Sequence, residues 1–165
     1  MCSASLEIEV SLGKQRLFLK RGDVVVKEYP VSASRHGAGE REGSECTPCG
    51  RHEVGEMIGA GAPAGTVFVG RRPTGEVYTA ELGHRYPQCD WILSRILWLH
   101  GLEPGRNQGG GVDSRSRYIY IHGTADEAAI GKPASHGCIR MRNADIIELF
   151  EHVAPGTAVL IRDAD

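Results

Sequence analysis

The chain has 165 residues, 41% hydrophobic and 24% charged, with a formal net charge of −2. That suffices for one soluble domain with a real core, and the interspersed charges form no basic stripe of the kind that grips nucleic acid. No stretch approaches the roughly 18 apolar residues of a membrane-spanning helix, and five irregularly spaced cysteines argue against a secreted disulfide framework.

From Met1 to Ser5 there is neither the basic start nor the apolar centre of an export signal, and Cys2 lacks the preceding segment that lipidation requires. A cytoplasmic location is the expectation; an export segment upstream of Met1 would make it periplasmic. Alternation in Leu6-Ile8-Val10 predicts a strand, followed by strands at Arg16 to Lys20 and Val24 to Val31 with a hairpin turn at Lys20-Arg21-Gly22-Asp23. Ser32 to Gly50, rich in glycine, serine and charge, reads as a long loop. Short strands are expected at His52 to Met57, Val67 to Gly70 and Val77 to Ala80. Asp90 suits the cap of a helix carrying Ile92, Leu93, Ile96, Leu97 and Leu99, ended by Gly101. A second loop, Glu103 to Arg115, leads to a strand at Arg117 to His122 that is apolar on both faces. Asn143 then suits the cap of a second helix with Ile146, Ile147, Phe150 and Val153 inward, stopped by Pro155-Gly156. Thr157 to Ile161 is the last strand. No linker divides the chain.

The chemistry concentrates near the end. His122-Gly123-Thr124 closes the apolar run Tyr118 to Ile121, and Ser135-His136-Gly137-Cys138-Ile139-Arg140 follows. Thiolate chemistry needs a nucleophile, a base and donors for an oxyanion, and this segment holds candidates for each. Cys138 is the candidate nucleophile and His122, at a strand end, the better-anchored candidate base. His136 turns toward the thiol or braces the loop. The Gly137 and Cys138 amides are candidate oxyanion donors, and Ser135 is a brace within the turn. Arg140 is always charged and suits a substrate carboxylate. Tyr120, two residues before His122 on a strand, shares its face.

These residues resemble the L,D-transpeptidase (YkuD-like) signature: a histidine, a spacer, then Ser/Thr-His-Gly-Cys with Asn or Arg two residues on. Gln15 to Leu19, Tyr29-Pro30-Val31-Ser32 and Thr47-Pro48-Cys49-Gly50 are similar to the family's opening strands and Thr-Pro-x-Gly turn, so the resemblance covers about Leu6 to Arg162. It implies a mainly β, sandwich-like catalytic domain filling residues 1–165, with two short helices and long active-site loops. It also implies a Cys138 thioester at the third residue of a peptidoglycan stem, with release of D-alanine and with His122 oriented by the Gly123 carbonyl. No metal or organic cofactor is implied, and the partner is a stem peptide or soluble muropeptide. With a cytoplasmic location, water is the expected acceptor, giving an L,D-carboxypeptidase; the alternative is a transpeptidase forming cross-links or exchanging D-amino acids.

Other readings stay open on residues alone. His122, His136 and Cys138 form a permitted zinc set, Cys46 and Cys49 a CxxC pair with His52 nearby, and the domain could bind muropeptides without turnover. Trp91 and Trp98 read as packing residues, with a place on a cleft wall as the alternative.

Overall fold

The computed structural model describes residues 5–164; Cys2 lies outside them. In chain order the elements are β1 (Leu6–Ser11), β2 (Arg16–Arg21), β3 (Val24–Ser32), β4 (Gly50–Ile58), β5 (Thr66–Val69), β6 (Arg72–Val77), α1 (Ala80–Arg85), β7 (Ile92–Gly101), β8 (Tyr120–Gly123), β9 (Ile139–Met141), α2 (Asn143–His152) and β10 (Ala158–Arg162). The strands pair in the order β4, β10, β1, β2, β3, β9, β8, β7, β5, β6, and β4 also pairs with β7. Eight strands therefore close into one ring, and β5 and β6 extend from β7 as a two-stranded ribbon. The layers of the expected sandwich are thus hydrogen-bonded to each other at both sides. Among these strand pairs of the described residues, β1–β10 and β8–β9 run parallel.

The period-2 pattern explains the opening strands. Ile8 and Val10 on β1 and Leu17 and Leu19 on β2 point inward, joined by Val31, Leu97, Leu99, Ile121, Ile139 and Met141. Each fully buried aliphatic side chain contributes roughly 1.5–3 kcal/mol. Outward-facing Glu9 is paired with Lys20 at 2.9 Å and Arg162 at 2.6 Å, tying β1 to both neighbours. Helix α2 adds Ile146, Leu149 and Phe150 to the same core. Asn143 is its first residue and not its cap: the Asn143 amide donates to Glu127 Oε2 at 2.7 Å, so a carboxylate from outside meets the positive helix end.

Several elements differ from expectation. The strand expected at Arg117 to His122 begins only at Tyr120, with Arg117 and Tyr118 in a turn. The helix predicted over Asp90 to Gly101 is strand β7, eight of whose ten residues are buried. Leu97 and Leu99 enter the main core, while Ile96 and Trp98 join a second cluster outside the ring with Phe68 and Tyr120. A strand buried on both faces is apolar at nearly every position, and such a run satisfies helical spacing as well as strand spacing. Conversely, the strand expected at Val77 to Ala80 is a junction: Val77 ends β6, and Thr79 caps α1 through its hydroxyl, which accepts from the Leu82 amide at 3.2 Å.

His52 on β4 is fully buried, with Nδ1 at 3.1 Å from Gly50 O and Nε2 at 2.8 Å from Ser114 Oγ. Burial pushes its pKa down to about 4. In the unfolded chain the imidazole takes up a proton near pH 6.5, so the unfolded state binds more protons between there and pH 4. Stability conferred by the neutral ring is present above pH 6.5 and lost as the pH falls through 4, a contribution of about 3 kcal/mol. Urea unfolding at pH 7 and 4.5 should therefore show a smaller acid-induced loss of stability for His52→Gln than for the parent chain.

Candidate active site

Strands β8 and β9 run parallel with Ile121 opposite Ile139 and His122 opposite Arg140. Ile121 and Ile139 point into the main core, so Tyr120, His122 and Arg140 face the other way, toward the outer cluster against which Cys138 packs. Cys138 sits just before β9, in register with Tyr120. The Tyr120 amide donates to Cys138 Sγ and the thiol donates to the Tyr118 carbonyl, both at 3.3 Å. One sheet register thus puts the nucleophile candidate and the base candidate on the same face, two residues apart along the ladder.

His122 is buried, and its Nδ1 lies 2.7 Å from the Gly123 carbonyl. The carbonyl can only accept, so Nδ1 carries the proton and Nε2 is left as the basic nitrogen. Burial lowers the His122 pKa against the smaller upward pull of that carbonyl and of Asp90. Burial also pushes the Cys138 thiol up to about 11; Asp90 adds to the rise, while the Tyr120 amide, Arg140 and Arg117 oppose it. At neutral pH the resting pair is a thiol and a neutral imidazole.

The turn holding Cys138 is fixed from three sides. Ser135 Oγ donates to Cys138 O at 2.5 Å and accepts from the Gly137 amide at 3.2 Å. Thr47 Oγ1, from the Thr-Pro-x-Gly turn, donates to Gly137 O at 2.9 Å. Arg117 donates to Cys46 O at 2.7 Å on the loop facing Gly137. Gly137 adopts φ +132°, which a side chain would strain. Of the two expected oxyanion donors, the Gly137 amide is thus directed at Ser135, whereas the Cys138 amide has no side-chain partner among the described residues.

His136 is exposed, and its hydrogen-bond partners do not include the thiol. Its Nδ1 lies 3.3 Å from Asp90 Oδ2 and its Nε2 is in short contact with Arg35. Asp90 Oδ1 also accepts from Arg140 at 2.7 Å, completing a chain Arg35–His136–Asp90–Arg140. These four residues, with Tyr78 and Trp91, line a cleft of about 520 Å³. A smaller hollow of about 290 Å³, lined by Tyr118, Arg117, Glu42, Glu45 and Cys138, lies on the other side of His136.

The family profile described as the YkuD L,D-transpeptidase catalytic domain matches residues 5–161. The chain belongs to that family. YkuD of Bacillus subtilis, which bears an L,D-transpeptidase name, is 32% identical over 155 residues, spanning 93% of this chain and 64% of the relative. The chain thus covers less than two thirds of that protein's length. The L,D-transpeptidase from Xylanimonas cellulosilytica superposes with a TM-score of 0.56 at 20% identity, over 98% of this chain and 62% of the other. L,D-transpeptidase 3 from Mycobacterium tuberculosis, solved with a faropenem-derived adduct, gives 0.57 at 14% identity, over 96% and 60%. At these identities the structures establish a shared L,D-transpeptidase fold.

Within this L,D-transpeptidase domain the remaining sequence candidates separate. Arg140 lines the cleft, but it is buried and its guanidinium meets Asp90 and the Ala134 carbonyl. Tyr120 shares the face of His122, yet its ring is buried in the outer cluster, and only its amide reaches the thiol. Trp98 packs there too, whereas Trp91 lines the cleft against Tyr78 and Tyr86. Cys46 and Cys49 are free, the latter buried, and both nitrogens of His52 are engaged by protein groups. Among the described residues no cluster of three metal-ligating side chains forms. Asp90 is the residue that sequence reading assigned to a different task, because its partners lie far away in the chain.

Gly123 is confined as well as placed. A Cβ there would collide with Asn143 Oδ1 and lie 2.6 Å from the Leu93 carbonyl, and Asn143 is anchored by Ser94 at 2.5 Å and by its bond to Thr124 O at 2.9 Å. Gly123→Ala should therefore cost about 1–3 kcal/mol of stability and rotate the carbonyl that orients His122. Thermal unfolding and alkylation of Cys138 at pH 7 would check both effects.

Proposed function

We propose that the chain is a cysteine acyltransferase that cleaves peptidoglycan stem peptides between the third residue and the terminal D-alanine. The observation that carries this reading is the arrangement on β8 and β9: a histidine with Nδ1 committed to the next carbonyl, and a thiol on the same face. Family membership supplies the substrate class.

In the proposed cycle Cys138 Sγ attacks the carbonyl carbon of the third residue while its proton passes to His122 Nε2. The Tyr120 amide, already directed at the sulfur, steadies negative charge there, and the Cys138 amide receives the oxyanion. Collapse breaks the peptide bond, and His122 returns its proton to the departing amine of D-alanine. Water then attacks the thioester carbon, giving its proton to His122. The tripeptide carboxylate leaves and the thiol is restored.

The acceptor favoured in this reading is water. Of the two openings beside His136, the hollow of about 290 Å³ is the one that Cys138 lines. The corresponding activity is L,D-carboxypeptidase. The test is mass spectrometry of disaccharide-tetrapeptide products with and without an added D-amino acid. Loss of D-alanine without exchange supports hydrolysis; dominant exchange or cross-linked dimer means an amine acceptor. Cys138→Ala should abolish every product.

The depressed His122 pKa and the raised Cys138 pKa also predict the pH profile. The acid limb of kcat/KM should have its midpoint below the ordinary histidine value of 6.5, because the neutral base persists to lower pH. Alkylation of the resting thiol by iodoacetamide should still be accelerating past pH 9, the ordinary thiol value.

A further inference from the structure

Strands β5 and β6 are joined by Gly70 and Arg71, with φ of +56° and +65°. Two central residues at positive φ form the tight hairpin turn that favours Asn-Gly or Gly-Gly, and a long side chain there is held in the left-handed region at a cost in free energy. Asparagine or glycine would satisfy this turn better. Such strain persists when the surroundings over-determine it, and here they do. The Arg71 guanidinium lies 4.7 Å from the centre of the Trp98 ring and 5.0 Å from that of Tyr118, and it donates to Tyr120 Oη at 3.1 Å.

Two of those residues hold the nucleophile candidate through their backbone, and Cys138 packs against the cluster that contains Trp98 and Tyr120. The Tyr118 carbonyl accepts from the Cys138 thiol, the Tyr120 amide donates to it, and Tyr118 lines the hollow containing Cys138. The other arginines nearby are occupied. Arg140 and Arg115 are paired with Asp90 and Glu56, Arg117 donates to three backbone carbonyls, and Arg35 is engaged by His136. Arg71 is partly exposed and has no carboxylate partner among the described residues. Stacking on two rings orients a planar guanidinium and leaves its other N–H groups free for a bidentate acceptor.

The geometry points to Arg71, and not Arg140, as the residue that binds a substrate carboxylate beside the scissile bond. This rests on the stem-peptide reading above. Two carboxylates have that chemistry: the terminus of the departing D-alanine, and a side-chain carboxylate on the third residue.

The test uses tetrapeptides with both carboxylates free, with the terminus amidated, or with the side-chain carboxylate amidated, on the full chain and on Arg71→Asn, which the turn favours. Arg71→Asn should hold or raise the melting temperature and increase KM for the free peptide about tenfold or more, with kcat little changed. Arg71→Lys should fall between. The amidated peptide that no longer distinguishes Arg71→Asn from the parent identifies the carboxylate. Equal KM within twofold, or equal losses on all three peptides, overturns the assignment. Binding to Cys138→Ala and to Cys138→Ala/Arg71→Asn, followed by tryptophan fluorescence, separates the two readings. Arg71-dependent binding without turnover in the parent defeats the proposed reaction alone. Cys138-dependent turnover indifferent to Arg71 defeats this assignment alone, and absence of both defeats both.

Discussion

The parallel pairing of β8 with β9 is the constraint on which the site depends. Parallel partners present side chains to the same side, so placing Ile121 and Ile139 in the main core obliges His122, Arg140 and the residues in register with Tyr120 to face outward. A slip of one residue would bury His122 in the core and expose Ile121. The apolar interior of the ring therefore sets which face the polar site occupies, while Ser135, Thr47 and Arg117 brace the turn that carries Cys138. Gly123 extends the same logic by half a residue: its lack of a side chain lets Asn143 and Leu93 close in, which fixes the carbonyl that His122 needs.

Electrostatics divide the site into two unlike halves. Around Cys138 and His122 burial dominates, and both groups rest uncharged. A few residues away, Arg35, His136, Asp90 and Arg140 form a charged chain along the cleft wall. Asp90 opposes ionisation of the thiol and favours that of His122, and Arg140 does the reverse, so the two members of the ion pair act on Cys138 and His122 in opposite directions. The Arg140 Nε remains buried without a partner, an unusual state for a guanidinium in a wall so well matched elsewhere. Such an arrangement leaves Cys138 and His122 uncharged at neutral pH.

The parts legible from sequence were those encoded locally. Alternation in Leu6 to Val10 and Arg16 to Lys20 marks strands because each has one wet face. His122-Gly123 and Ser135 to Cys138 are short enough that their turn chemistry can be read directly, including Ser135 as a brace. Strand β7 carries a helix-like pattern because both its faces are buried, which erases the period-2 alternation. Asp90 reads as a cap in the sequence because its partners, Arg140 and His136, come from another strand and loop. Arg140 looked like a free cation for the same reason. Arg71 left no sequence signal, since a two-residue turn between short strands gives it no motif; its positive φ and its stacking on Trp98 and Tyr118 exist only in three dimensions.

The ring has an order of assembly written into it. Its last strand in sequence, β10, lies between β4 and the first strand, β1. During synthesis β1 and β4 therefore emerge with bare hydrogen-bonding edges and stay so until Ala158 to Arg162 leave the ribosome. Closure joins segments separated by almost the whole domain, the kind of long-range pairing that slows folding. The interval before it is when the nascent chain is most open to pairing with a wrong strand. The sequence answers this with Glu7, Glu9, Arg51 and Glu53 on those waiting edges, charges that discourage a neighbouring chain from filling the gap first.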